Sequence, residues 1–292
     1  MNAHWKNSLK YREMKVGTKF ASNILRYQLY IKEGITLSKL SNKVKTIDEA
    51  LSCIPESGAR MLMGGFVGAS EPTCCINWLI EHNIHDITLI TNEPGLSGFG
   101  RAKLYENGLV REIISSHVGT TEESTIKYLE GSLKVEQYYP MGTLAEKVRA
   151  GAMGLGGVLV PVGVGILDEP GLFPELAEPK QVMNINGMDC FVEPAIRAPY
   201  SIIKAWRADT MGNLEFRYTG LNCNAIYGMA GDYTVAEVEE IVPVGTIPPE
   251  RVGVPGPFIN AVVQGLSLEE HDELYRQHWL KIGKLKPETE EV

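Results

Sequence analysis

The feature that most restricts the fold of this 292-residue chain is a rhythm: a short unbroken apolar run, a stop at glycine, then a helical stretch. ARMLMGGF, from Ala59 to Phe66, is the first run, and it halts at Gly64 and Gly65. A strand that is apolar on both sides belongs inside a sheet covered on both faces. VGASEPTCCINWLIEHN follows, where Pro72 suits a first helical turn and Cys75, Trp78 and Leu79 mark an apolar face. The next run, Ile87 to Ile90 in DITLITNEPG, ends at Asn92, Pro94 and Gly95. Strand, glycine loop, helix, strand is a βαβ unit, and its crossover is right-handed.

The rhythm recurs more loosely. REIISSHVG, from Arg111, reads as a strand, Glu122 to Leu129 as a helix, and LKVEQYYP as a strand ending at Pro140. Thr46 with Glu49, and Thr143 with Glu146, stand in capping-box register. They predict helices from Thr46 to Ile54 and from Thr143 to Arg149, the second broken by the glycine-rich stretch Gly151 to Gly157. VLVPVGVG is a further strand; SIIKAWRAD and LEFRYTG form two more, joined by a TMGN hairpin in which Gly212 and Asn213 tolerate positive φ. TVAEVEEIV reads as a strand, Pro243 to Pro257 as a surface wrap, and the charged tail from Leu268 as an exposed helix. The expected class is therefore α/β, a parallel-rich open sheet with helices on both faces, whose ligands bind beyond the carboxyl ends of the strands. The glycine stretches at Gly64–Gly68, Gly95–Gly100 and Gly151–Gly157 are expected at those ends, facing one crevice.

Composition excludes several classes. With 44% hydrophobic and 22% charged residues the chain is neither disordered, collagenous nor a disulfide scaffold. No run approaches the ~20 apolar residues of a membrane span. Met1 to Lys45 carries ten basic and two acidic residues, a net of +8, which leaves −16 for the rest of a chain whose total is −8. The acidic body argues against nucleic acid as a partner. The basic arm is expected to pack on the body or on a partner subunit, with targeting or anion binding as alternatives. Cys53, Cys74, Cys75, Cys190 and Cys223 lack metal-type spacing, and an odd count fits a reducing compartment, so the cytoplasm is expected. His82 and His85 read as surface or capping histidines, and His117 as a structural one near a strand end; no metal site is expected.

GGFVG lacks the register of a dinucleotide fingerprint and the Lys-Ser/Thr of a P-loop. Two readings of it stay open: glycines needed for a tight turn, or backbone N–H groups exposed to an oxyanion or thioester carbonyl. Glu71 and Glu93 lie near the loops and can be nucleophiles in principle, although a glutamate is more often a solvated surface group.

Six strings taken in order resemble the α subunit of family I CoA transferases, the group of acetoacetate, 3-oxoadipate and succinyl-CoA:3-oxoacid transferases. They are MLMGGFVG, LITNEPG with GFG, IISSHVGTTEESTIKYLEGSLKVE, PMGTLAEKVRAGAMGLGGVLVPVGVG, IIKAWRADTMGNLEFRYT and DYTVAEVEEIVPVGTIPPERVGVPG. The resemblance runs from about Thr46 to Gly265, leaving a basic arm at 1–45 and a helical tail at 266–292. It implies a NagB/RpiA-like sheet and a ping-pong exchange of CoA between an acyl-CoA and a short carboxylic acid. CoA is then a substrate, no cofactor is needed, and the nucleophilic glutamate sits on a β subunit in an α2β2 or larger assembly, so no catalytic residue is expected on this chain. By the same resemblance Gly64, Gly65, Phe66 and Gly68 floor the acyl pocket, and Asn92 and Gly95 form a turn facing the partner. Met141 stands where many members carry a glutamine that polarises the thioester carbonyl, which passes that task to backbone N–H groups such as that of Gly142. Glu93 replaces a common asparagine. The insertion Ile166 to Pro194 departs from shorter members. The rival readings are one half of an acyl-CoA hydrolase and a ligand-sensing regulatory domain of the same architecture.

Overall fold

The computed structural model describes residues 42–169 and 180–286. The basic arm expected at 1–45 therefore lies outside the described residues except for its last four, as does the middle of the insertion expected from Ile166 to Pro194. After helix α1 (Ile47–Leu51), capped by the reciprocal Thr46–Glu49 pair, comes β1 (Arg60–Met63), α2 (Thr73–Glu81), β2 (Ile87–Ile90), α3 (Ala102–Glu106), β3 (Val110–Ser115), α4 (Glu122–Leu129) and β4 (Lys134–Tyr138). Helix α5 (Met141–Ala152) leads to β5 (Gly157–Val160), β6 (Val182–Ile185) and β7 (Met188–Pro194). The chain then runs through β8 (Ala198–Asp209), β9 (Leu214–Glu215), α6 (Asn224–Ala230), β10 (Gly231–Val242), β11 (Ala261–Gln264) and α7 (Leu268–Lys281).

Seven strands form one parallel sheet in the order β11-β10-β8-β1-β2-β3-β4, with β9 added antiparallel to β8. The apolar runs explain the layers. Met61 and Met63 join Ile87, Leu89 and Ile113 on one face, against Cys75, Ile76 and Leu79 of α2 and Leu104 and Tyr105 of α3. Leu62, Ile90 and Ile114 point the other way, against Leu144 and Val148 of α5 and Ala225 and Tyr227 of α6. Alternation with period two thus feeds two cores from one unbroken run. Because β2, β3 and β4 lie to one side of β1 and β8, β10 and β11 to the other, the order reverses between β1 and β8. That switch point is where an open α/β sheet forms its crevice, beyond the carboxyl ends of the strands.

Three local expectations are corrected. Thr143 does not cap α5: the helix begins at Met141 directly after Pro140, because β4 pairs with β3 up to Tyr138 and the proline ends the ladder. Thr143 occupies the third helical position, and Glu146 bonds Arg149 instead of closing a capping box. Next, Gly151 to Gly157 does not lie at the carboxyl ends. Helix α5 runs back from the end of β4, and Gly151 meets Ile196 and Arg197, just ahead of the amino end of β8. Third, LEFRYTG supplies only the two-residue β9, although the TMGN turn is present, with Gly212 at φ +87° and the carboxylate of Asp209 accepting from the N–H groups of Met211 and Asn213, both at 3.0 Å. Residues 182–194 of the expected insertion form a hairpin, β6 and β7 around Asn186–Gly187, which with β5 makes a separate antiparallel sheet.

Gly151 belongs inside α5 because a Cβ there would lie 2.0 Å from the carbonyl oxygen of Ile196. Helix propensity alone favours alanine by about 1 kcal/mol, but overpacking against backbone costs more. Gly151→Ala is expected to lower stability by about 2 kcal/mol net, read as a lower urea midpoint at unchanged slope.

Candidate active site

The loop after β1 sits at the switch point and contains a tight turn. Phe66 and Ala69 exchange N–H···O bonds of 2.9 Å in both directions, and the two central residues, Val67 and Gly68, have φ of +46° and +84°. Positive φ at both central positions is the demand of a type I′ turn, which favours Asn-Gly. A β-branched valine there is an outlier, and the left-handed region costs a non-glycine residue roughly 1–2 kcal/mol. Ser70, at φ +54°, adds a second such residue. Neighbouring groups must therefore hold the loop in place.

They do so from four elements. Glu93, after β2, accepts the Val67 N–H at 3.0 Å, and Glu71, at the end of the loop itself, accepts the Gly68 N–H at 3.1 Å. Asn224, at the start of α6, donates to the Ser70 carbonyl at 3.2 Å, and a Cβ on Gly64 would strike its side-chain oxygen. Glu237 of β10 accepts the Cys75 N–H at 3.0 Å and so caps α2, whose own N-terminal residue Pro72 offers no side-chain cap. Lys204, opposite Glu237 on β8, lies 3.8 Å from its carboxylate, and both are buried.

Arg101 joins the first loop to the second. Its guanidinium bonds Glu93, approaches Glu71 to 3.2 Å, and donates to Thr91 and to the carbonyls of Met63 and Gly64 at 3.3 and 3.1 Å. Its backbone N–H donates to Glu71 at 2.8 Å. All three ionic side chains are buried to within 1% exposure. Burial pushes the Glu71 carboxyl above the usual range, opposed by Arg101 and the N–H donors of Arg101 and Gly68. Burial works against the charge on Arg101 too, but Glu71 and Glu93 outweigh it and hold the guanidinium protonated. Glycine is required around this group: a Cβ on Gly65 would lie 2.4 Å from the Glu71 side chain, and one on Gly100 would lie 1.8 Å from its carboxylate.

These contacts decide between the two readings for four of the five residues of GGFVG. The N–H groups of Gly64, Phe66, Val67 and Gly68 all bond inside the chain, to Ile202, Ala69, Glu93 and Glu71. They are turn donors already engaged, so an oxyanion reading survives for none of these four. Glu71 and Glu93 are also not solvated surface groups: they are the counter-ions of a buried arginine. Among the expected pocket residues, Gly64, Gly65 and Gly68 are buried and Phe66 is 41% exposed. Asn92 is 1% exposed, its backbone carbonyl accepting from Ser116 and Ser115, and Gly95 is buried beneath Glu93 and Arg101. The structure thus brings the Gly64 and Asn92 turns together. Met141 and Gly142 begin α5 after β4, three strand spacings from β1 or about 14 Å. Both are exposed, and their N–H groups, in the first turn, have no intrahelical acceptor. His117, bonded to Ser116 at 2.8 Å, shares a loop with Thr120, whose hydroxyl reaches Glu93 at 3.4 Å.

Sequence reasoning missed Arg101, Asn224 and Glu237. Arg101 carried a usable signal, a cation between the glycine of GFGR and the apolar stretch of α3. Arg101→Met would leave two buried carboxylates without their counter-charge, and breaking a buried pair from one side costs about 3–5 kcal/mol. That loss is expected in urea unfolding, and adding Glu71→Leu is expected to recover part of it.

Comparison with known proteins places this architecture. The coenzyme A transferase family model matches residues 44–265. The alpha subunit of the acetate CoA-transferase of Escherichia coli K12 is 34% identical over 224 residues, 77% of this chain and 97% of that one. A succinyl-CoA:3-ketoacid coenzyme A transferase subunit of Helicobacter pylori J99 is 36% identical over 233 residues, 80% of this chain and 96% of that one. An acyl-CoA transferase of Escherichia coli O157:H7, solved as a thioester complex with CoA, superposes with a TM-score of 0.68 at 20% identity, covering 79% of this chain; the chain spans 48% of that longer structure, and the likeness concerns the fold. On the extent of the family match and these identities, the chain belongs to the coenzyme A transferase family.

Proposed function

We propose that this chain is the α subunit of a heteromeric CoA transferase, which moves CoA between an acyl-CoA and a free short carboxylic acid by a ping-pong reaction. The acyl carbon is attacked by a glutamate of a β subunit. CoA leaves as the thiolate, then returns to the glutamyl anhydride to give a glutamyl-CoA thioester and release the first acid. The second acid attacks that thioester, forming a new anhydride from which CoA displaces the glutamate. CoA is a substrate here, no resident cofactor is required, and the assembly is α2β2 or larger in the cytoplasm. Among the described residues no helix is long and apolar enough to cross a membrane.

One observation carries the half-site reading. The two carboxylates of the glycine loops, Glu71 and Glu93, are buried and bonded on both oxygens, so neither is free to attack an acyl carbon. That agrees with the resemblance to family α subunits, which implies a nucleophile on a second chain. This chain contributes the wall: exposed Phe66 on the first loop, and exposed Met141 and Gly142 at the start of α5. The purified chain alone is expected to show no CoA transfer, and activity is expected to return on mixing with the partner chain. Robust turnover by the chain alone, or a borohydride-trapped adduct on Glu93, would sink this reading.

Met141 directs a second expectation. A thioether cannot donate a hydrogen bond, and one missing donor in an oxyanion-type site is worth about 2.7–4 kcal/mol, so the free N–H groups at the α5 terminus take the role. Met141→Gln is expected to shift relative kcat/KM toward smaller or more polar acids, and Met141→Ala to raise KM for bulkier acyl donors. Unchanged ratios across an acid panel in both variants would place Met141 outside the pocket.

A further inference from the structure

Helix α7 spans Leu268–Lys281 and so lies beyond the residues 44–265 that the family model matches. It opens with its own capping box, in which Ser267 and Glu270 satisfy each other's backbone N–H groups. One face, His271, Tyr275 and His278, follows the i, i+4, i+7 spacing of a helical stripe. This stripe is not turned to solvent. All three rings surround Phe99 of the second loop, Tyr275 at 5.2 Å between centroids, His278 at 5.6 Å and His271 at 5.8 Å. The same helix touches the tight turn of each loop. A Cβ on Gly68 would lie 2.7 Å from the Tyr275 ring, and one on Gly98 would lie 3.0 Å from the His278 ring. The Tyr275 hydroxyl donates to the Val67 carbonyl at 3.0 Å.

Val67 is the residue held at an unfavourable positive φ, and its two backbone groups are now both accounted for: its N–H bonds Glu93 and its carbonyl accepts from Tyr275. A carboxylate and a phenol thus hold the two peptide groups that flank one strained residue. We propose that Tyr275 is a positioning residue for the acyl site, and that α7 is the clamp that fixes the Phe66–Ala69 turn, and with it the exposed Phe66 ring, against the second loop. This inference rests on the transferase reading for its effect on substrate, but not for the clamp itself. Removing the hydroxyl frees the carbonyl side of Val67, and the turn can then relax toward conformations a valine prefers, moving Phe66.

Two measurements separate the parts. Tyr275→Phe keeps the ring against Phe99 and Gly68, and in the full chain the amides of Val67 and Gly68 are expected to exchange hydrogen about fivefold faster, while those of β1 and β2 keep their rates. In the complex with the partner chain, the same variant is expected to raise KM for the acyl-CoA about fivefold, with kcat within about twofold of the parent. Glycine adopts positive φ freely, so in a Val67→Gly background Tyr275→Phe is expected to change KM by no more than about twofold. Unaltered exchange at Val67 and Gly68 overturns the clamp. Faster exchange with an unaltered KM in an active complex overturns the positioning role, as does an equal penalty in the valine and glycine backgrounds. A complex that transfers no CoA defeats the transferase reading instead, and the exchange rates still decide whether Tyr275 holds the loop.

Discussion

A single guanidinium, with no route to water, ties the site together. Arg101 sits between two carboxylates from two different loops, and its donors also bond the end of β1 through Met63 and Gly64. A charge in that position is tolerated only because its partners are equally buried and already oriented by backbone N–H groups. The network is therefore all-or-none. Each loop supplies a counter-ion to the shared guanidinium, and the strained Val67 turn is held by Glu93, which Arg101 fixes in place. The same rigidity commits the N–H groups of Gly64, Phe66, Val67 and Gly68 inward, so these four hold the shape of the loop.

Much of the architecture was legible in the chain. Unbroken apolar runs ended by glycine gave the inner strands, because only a strand covered on both faces can be apolar on both sides. The Thr46–Glu49 box and the Gly212 turn were readable since each depends on residues within four positions of one another. What escaped notice depends on distance in sequence. Glu71, Glu93 and Arg101 are separated by up to thirty positions, and a lone charged residue reads as solvated unless its partner is known. Gly151 was misplaced for a related reason: glycine marks close approach as readily as a turn, and only the fold shows that what approaches is the carbonyl of Ile196. Asn186–Gly187 is the converse case, a hairpin signal present in the sequence and overlooked within a segment singled out only as an insertion.

Around the sheet, the family domain and its terminal helix divide the work. The pairing of β10 with β8 over nearly their whole length aligns Glu237 with Lys204, so a residue on a central strand can cap α2 and steady the loop that precedes it. From outside, α7 adds aromatic packing to the same loops. The first loop is thereby fastened by strands below, a neighbouring loop beside it and a helix above.

The closeness of Gly65 and Gly100 to Glu71 bears on how such chains can diverge. A methyl group at either position would overlap the glutamate, yet the same space would open if residue 71 were small or absent from the pair. Positive φ at Gly65 (+101°) and Gly100 (+52°) nevertheless keeps both positions glycine whatever stands at 71, so the linked pair is 71 and 101: a change at one is harmful alone and less so with the other. A relative that has lost the arginine is expected to lack at least one of the two carboxylates as well, since either left alone is a buried charge without its counter-ion.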